Sequence, residues 1–274
     1  MSSLTNVKSY WEKVGLSNID EQYKDHWLHV DGSPVSDRMY GEVANFVIQH
    51  LGDLSGRLLE VGCGTGRILE KLNLSGCTDL HGIDFSSAQI HLSCARNPDV
   101  RFSVGDFFEY TDEFLDFSFD LIYLHSDTQY FPSEDYFDEF IARAVERLNP
   151  GGKILLIDVP IDWYKNEMIA YRWEDRRYKK MKSFLPAALL AGVRSLRRAR
   201  LVREVIGGTA IEYRAFNGLY ASLEKIYSLC DKYNFSLDMI YQSFTAKPVK
   251  YRKYRPFFIL SNLARYHFAE ASEQ

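Results

Sequence analysis

Three glycines at alternate positions follow a short apolar run in Leu58-Leu59-Glu60-Val61-Gly62-Cys63-Gly64-Thr65-Gly66-Arg67. Glycine lets a chain turn sharply and lets a ligand approach a backbone that no Cβ shields. The spacing is not the dinucleotide-binding G-x-G-x-x-G, whose third glycine would fall on Arg67. A second apolar run ends in His81-Gly82-Ile83-Asp84, and an acid at that place can accept both hydroxyls of a ribose. A third ends in Val104-Gly105-Asp106-Phe107. There a carboxylate can accept from an adenine amino group while the next backbone N–H donates to a ring nitrogen. A fourth runs into His125-Ser126-Asp127-Thr128-Gln129-Tyr130, which offers an imidazole that titrates near neutrality and a carboxylate. Taken singly, the glycines would serve a tight turn, and Asp84, Asp106 and Asp127 would serve as helix caps. In this order, the glycines, Asp84 and Asp106, each at the end of an apolar run, describe a nucleoside site.

The elements that must position them alternate along the chain. Apolar runs at Arg57–Val61, Asp79–Ile83, Val100–Val104, Phe119–Leu124 and Lys153–Val159 are interleaved with helical stretches at Arg67–Leu72, Ala88–Cys94 and Tyr136–Leu148. Such alternation predicts βαβ units and an α/β fold around a parallel sheet, and the continuous apolarity predicts strands covered on both faces. Asn149-Pro150-Gly151-Gly152 predicts a turn before the last of these runs. Before the first run, Ser36 or Asp37 can cap a helix whose stripe is Val43, Phe46, Val47 and Leu51. Tyr10, Trp11, Tyr23 and Trp27 belong to a helical lead-in. After Val159 the rhythm breaks. A Gly207-Gly208 pair between two alternating runs predicts a hairpin, Tyr220–Tyr233 a helix, and Phe235–Ala246 and Pro256–Leu263 two closing strands.

These motifs closely resemble those of the class I S-adenosylmethionine-dependent methyltransferases, specifically over Arg57–Val159 and more loosely beyond. The resemblance implies a Rossmann-like, mostly parallel seven-stranded sheet with an antiparallel last strand, N-terminal helices, and an inserted lid before the final hairpin. It implies S-adenosylmethionine as cofactor, lying across the C-terminal edge of the sheet and leaving as S-adenosylhomocysteine. Carried over by position, Glu60 and the backbone of Gly62 and Gly64 lie near the methionine amino and carboxyl groups, with Gly66 closing the loop. Asp84 holds the ribose and Phe85 packs on the adenine. Asp106 and Phe107 read the adenine edge, and His125 lines the sulfonium and the acceptor. His125 is then the first candidate for a catalytic base and Asp127 the second. No metal is expected, because the adjacent acid–amide pair of the metal-dependent O-methyltransferases is missing around Asp127 and Asp158. The N/D-P-P-Y/F sequence of nucleic-acid amino methyltransferases and the paired glutamates of protein arginine methyltransferases are also missing after the fourth run. By exclusion, the expected acceptor is an oxygen or nitrogen of a small-molecule or carrier-linked compound.

The composition agrees with this reading. The 274 residues read as one domain: a helical cap over 1–55, a cofactor-binding core over 56–160, a basic lid over 161–216, and a closing helix and hairpin over 217–274. Hydrophobic residues make up 46% and charged residues 26%, which excludes wholesale disorder. The net charge of −4 argues against a nucleic-acid binder, yet Lys165–Val205 carries a local balance of +8. That segment suits an anionic acceptor such as a phosphorylated or lipid-linked glycan, peripheral contact with an anionic membrane, or an acidic face of the same chain or of a homodimer mate. An RNA methyltransferase docking through it, and a non-catalytic cofactor-binding subunit, stay open as alternatives. In the lid and just after it, Glu212, Tyr213, Arg214 and Tyr220 are candidates to face the acceptor. Cys63, Cys77, Cys94 and Cys230 show neither metal-ligand spacing nor a disulfide framework. Met1–Lys13 lacks an apolar h-region and no run reaches the ~18 apolar residues of a membrane span, so cytoplasm is the expected compartment.

Overall fold

The computed structural model describes residues 4–20, 37–108, 118–159, 222–240 and 257–262. The basic lid with Glu212, Tyr213, Arg214 and Tyr220, the lead-in aromatics Tyr23 and Trp27, and the connection 247–255 lie outside the described residues. In chain order the elements are α1 (Leu4–Asp20), α2 (Asp37–Leu51), β1 (Leu58–Val61), α3 (Arg67–Leu74), β2 (Leu80–Asp84), α4 (Ser87–Arg96), β3 (Arg101–Val104), β4 (Phe119–His125), α5 (Glu134–Glu146), β5 (Leu148–Ile157), α6 (Leu223–Tyr233), β6 (Phe235–Ile240) and β7 (Phe257–Asn262). A short 3-10 turn, Thr128–Tyr130, follows β4.

The strands form one seven-stranded sheet in the order β3-β2-β1-β4-β5-β7-β6. Pairings from β3 through β5 are parallel, while β7 runs antiparallel to both β5 and β6. The sheet is covered on both faces, as the apolar runs predict. Leu58, Leu121, Tyr123, Leu155, Ile157, Phe257 and Ile259 pack on one side with the α2 stripe Val43, Phe46 and Val47. Their strand neighbours Leu59, Ile122, Leu124, Ile154, Leu156, Phe258 and Leu260 face the other way, against Phe137, Phe140 and Ile141 of α5 and Ile226 and Leu229 of α6. This alternation is the two-residue period of a strand read out as two core layers. Each such side chain fully buried contributes about 1.5–3 kcal/mol. Among the described residues no helix is long and apolar enough to cross a membrane.

Helix starts obey local chemistry. Ser86, Ser133 and Ser222 each accept a backbone N–H three residues on, which sets the first turns of α4, α5 and α6. Capping by Ser133 starts α5 two residues before the expected Tyr136, and capping by Ser222 starts α6 three residues after the expected Tyr220. Asp37 opens α2 as its first residue, and its carboxylate meets Arg67 and Lys71 of α3. The Asn149–Gly152 turn is not a connection ahead of β5 but a bulge within it. Leu148 pairs with Phe119, Lys153 with Leu121, and Gly151 takes a positive φ of 77° between them.

Candidate active site

Strand register alone assembles the site. Val61 of β1 pairs with Ile83 of β2 on one side and Leu124 of β4 on the other. The next residues, Gly62, Asp84 and His125, therefore stand level across three adjacent strands at the C-terminal edge. Asp84 pairs in turn with Val104, which sets Gly105 and Asp106 just beyond it. The sequence motifs converge because parallel strands end at a common edge, where such sheets take their ligands.

The glycine loop is fixed from outside by α4. Ser93 Oγ donates to the Gly64 carbonyl at 2.7 Å, Arg96 donates to the Thr65 carbonyl, and Asn97 Nδ2 donates to the Gly66 carbonyl at 3.1 Å. The loop amides are largely engaged within the fold. Gly62 and Cys63 both donate to the Ile83 carbonyl, Gly66 donates to Cys63, and Gly64 donates to Asp84 Oδ2 at 3.0 Å. What the loop offers a ligand is thus a surface without Cβ atoms more than a set of open N–H donors. Gly62 and Gly66 take positive φ of 75° and 70°. A Cβ on Gly62 would fall 2.5 Å from the Asp127 carboxyl carbon.

Asp84 is 8% exposed, and its carboxylate is aimed by Gly64 and by the Ser86 amide at 2.8 Å. It does not cap α4, since Ser86 does. Burial, against the pull of those two amides, pushes its carboxyl up to about 6. Glu60 is 3% exposed, and its Oε2 has no hydrogen-bond partner. Burial drives that carboxyl well above the usual range; the Tyr123 hydroxyl beside it opposes and the Asp84 charge adds. Cys63 is buried among these acids, which raises its thiol well above the ordinary value and makes it a poor nucleophile. Asp106 accepts from the Tyr136 hydroxyl at 2.8 Å. The Phe107 ring packs on Phe140 at 4.9 Å, and Phe85 stands half-buried after β2.

Beyond β4 the chain folds back. Ser126 and Asp158, at the ends of neighbouring strands, both adopt left-handed φ, 62° and 64°, and Ser126 Oγ donates to the Asp158 carboxylate. Left-handed backbone at non-glycine residues costs roughly 1–3 kcal/mol and collects at functional edges. The reversal at Ser126 returns Asp127 onto Gly62. Asp127 opens the 3-10 turn without a side-chain cap bond. His125 itself is 5% exposed.

Sequence reading missed the contribution of α1. This helix straps the C-terminal edge with one residue on each of three loops. Glu12 accepts from Ser86 Oγ at 2.6 Å, Ser87 Oγ at 2.9 Å and the Ala88 amide after β2. Lys8 meets Asp106 at 3.3 Å after β3, and the Trp11 ring meets the edge of Tyr130 at 5.7 Å after β4. Gly15 permits the approach, for a Cβ there would stand 2.7 Å from that of Ala88. Burial works against ionised Glu12, but the Ser86, Ser87 and Ala88 hydrogen bonds outweigh it and hold the carboxyl below its usual value. A carboxyl lowered by folding stabilises above its unfolded value and stops doing so as pH falls through the folded one. Glu12→Ala is expected to loosen α1 by about 1–2 kcal/mol at neutral pH, read as faster amide exchange over residues 7–16. Wild-type α1 should loosen in the same way only in acid.

Residues 58–152 match the family model described as a methyltransferase domain. Over these residues the chain carries a methyltransferase domain, and its mostly parallel seven-stranded sheet is the Rossmann-like fold of the solved methyltransferases it aligns with. Among curated proteins it is 37% identical over 108 residues to chondramide synthase cmdD of Chondromyces crocatus. That stretch is 37% of this chain and 3% of the synthase, so the chain spans only a small fraction of this relative. Among solved structures, magnesium protoporphyrin IX methyltransferase (ChlM) of Synechocystis PCC 6803 with bound S-adenosylmethionine aligns with a TM-score of 0.56 at 13% identity, over 96% of this chain and 98% of that one. The N-methyltransferase NodS of Bradyrhizobium japonicum WM9 with S-adenosylhomocysteine aligns with a TM-score of 0.51 at 15% identity, over 86% and 93%. Among the described residues, no group of three His, Cys, Asp or Glu is arranged to hold a metal.

Proposed function

We propose that this chain is a class I S-adenosylmethionine-dependent methyltransferase acting on an oxygen or nitrogen of a small-molecule or carrier-linked acceptor, anionic or glycan in character. The observation that carries the reading is the row of acids at the C-terminal edge, Glu60 and Asp84 buried and Asp127 half-buried. Glu60, Asp84 and Asp127 converge with His125, and two carboxylate oxygens there, Glu60 Oε2 and Asp127 Oδ2, lack partners. Unsatisfied buried carboxylate oxygens suit a ligand that brings positive charge. The residues present therefore fit S-adenosylmethionine. When bound, it supplies a methyl group already activated on a sulfonium.

The chain's own work is then to hold and to deprotonate. Asp84 would accept the ribose hydroxyls, with Gly64 and Ser86 keeping its carboxylate aimed. Asp106 and the Phe107 backbone would take the adenine edge. Phe85 would cover the ring. Glu60, Gly62, Gly64 and Gly66 would receive the methionine end. His125 would remove the acceptor's proton as the methyl arrives. It is favoured over Asp127 for that task because the Asp127 carboxyl is turned onto Gly62. The α1 strap, with Trp11 against Tyr130, would keep water from the reacting atoms. Support for a small-molecule acceptor comes from the porphyrin methyltransferase among the fold relatives.

The test is calorimetry with S-adenosylmethionine and S-adenosylhomocysteine, followed by radiolabelled methyl transfer to a panel of amines, hydroxyls, anionic glycans, carrier-bound aminoacyl groups and RNA. Micromolar binding and label on a small or carrier-bound acceptor is the expected result. Label on RNA alone would overturn the acceptor class. Binding without transfer to any acceptor would favour a cofactor-binding subunit.

A further inference from the structure

Asp127 was read from the sequence as a second candidate for the base, or as a helix cap. Its surroundings suit neither role. It makes no cap bond to the turn it opens. Its carboxyl is pressed onto the Cα of Gly62, with carbon and both oxygens 2.5–2.6 Å from where a Cβ would stand. One oxygen, Oδ2, is buried with no hydrogen-bond partner. The left-handed turn at Ser126 holds it there, and Ser126 is in turn tied to Asp158. A carboxylate turned inward over a glycine, strained into place and left half-satisfied, is waiting for a donor.

We propose that the Asp127 carboxylate, held over Gly62, binds the methionine ammonium of S-adenosylmethionine, and so is a cofactor-anchoring residue and not the base. The inference rests on the cofactor reading above, which sets Gly62 beside the methionine end. Two properties of the site agree with it. Burial first, then the charges of Asp84 and Glu60, raise the Asp127 carboxyl well above its usual range, with only the backbone of His125 pulling it back. A fixed ammonium is the group that relieves such crowding. Glu60, the other acid near this end, lies inside β1 at 3% exposure, whereas Asp127 lies beyond the strand ends and is half-buried. The contact is a charge-assisted N–H···O pair, worth about ten- to hundredfold in affinity.

The experiment compares two ligands on three proteins: wild type, Asp127→Asn and Glu60→Gln. The probes are S-adenosylhomocysteine and its analogue with hydrogen in place of the α-amino group. Wild type is expected to prefer the amine-bearing ligand by ten- to hundredfold. Asp127→Asn should bind both alike, near the wild-type affinity for the deaminated ligand, and Glu60→Gln should lose less of the preference than Asp127→Asn does. Thermal melting of each free protein controls for folding, and Asp127→Ser serves if the asparagine variant is unstable. An Asp127→Asn protein that keeps the full preference, or a preference that disappears in Glu60→Gln alone, would overturn the assignment while the cofactor reading stands. A folded wild type that binds neither ligand would overturn both.

Discussion

Asp84→Asn is expected to weaken binding of S-adenosylmethionine by roughly 10²–10⁴-fold while leaving the protein folded. Two ribose hydroxyls donating to one carboxylate are charge-assisted bonds of about 1.5–3 kcal/mol each, and every 1.4 kcal/mol is about tenfold. Asparagine keeps one acceptor for the Gly64 and Ser86 amides and loses the other, which costs the free protein something. It also removes a buried charge, which returns a comparable amount. Alanine is the harsher change, since it leaves both amides without an acceptor. The pH dependence separates the two terms. Folding raises this carboxyl from 3.8 to about 6, so the folded state binds its proton more tightly than the unfolded one. The free wild type therefore loses stability as pH rises through that window, by up to about 3 kcal/mol at 1.36 kcal/mol per unit. Binding requires the ionised form, so its dissociation constant should rise about tenfold per unit below pH 6 and be flat above. The asparagine variant should show neither dependence on this group. Calorimetry and thermal melting between pH 4.5 and 8 measure both. Wild-type affinity in the asparagine variant would remove Asp84 from the site.

The core and the site differ in how far local sequence reveals them. Strands buried on both faces read as continuous apolar runs, and parallel strands ending at one edge bring Gly62, Asp84, Asp106 and His125 together from residues far apart in the chain. Those four are legible because each sits at the end of a strand or within two residues past it, where the apolar run gives way to glycine, acid or histidine. What supports them was not legible. Ser93 and Arg96 of α4 and Asn97 just past its end hold the loop carbonyls, but along the chain they look like ordinary polar positions of an amphipathic helix. Lys8, Trp11 and Glu12 reach the site only because α1 docks across it, and nothing in its sequence states where it docks. The bulge in β5 was half visible. Asn149-Pro150-Gly151-Gly152 signals a break, yet only the sheet shows that Leu148 already pairs with Phe119 before it. Asp127 shows the limit most clearly. A carboxylate two residues past a strand reads as a base or a cap, and only the left-handed turn at Ser126, which sequence does not announce at a serine, sends it back onto Gly62.

His125→Ala is expected to lower kcat by about 10²–10⁴-fold, the usual worth of a positioned general base, while changing the affinity for S-adenosylhomocysteine only a few-fold. The asymmetry follows from where the residue stands. His125 closes β4 at the level of Gly62 and Asp84, and its backbone pairs with Ile157, so the strand positions it whether or not its ring does chemistry. Removing the ring should leave in place the acids proposed to hold the nucleoside. A neutral imidazole is required for both parts of its role. The protonated ring cannot accept a proton from the acceptor, and it would set a like charge beside the sulfonium. Activity of the wild type should therefore rise with pH and level off once the ring is neutral. That limb should vanish from the small activity left in the alanine variant, and a glutamine in its place, similar in reach but unable to take a proton, should rescue none of the loss. Rates of labelled methyl transfer from pH 5.5 to 9, with the acceptor saturating, decide the matter. An alanine variant with unchanged kcat and the same rising limb would assign the proton's removal to solvent or to another group, and would leave His125 as a wall of the cleft.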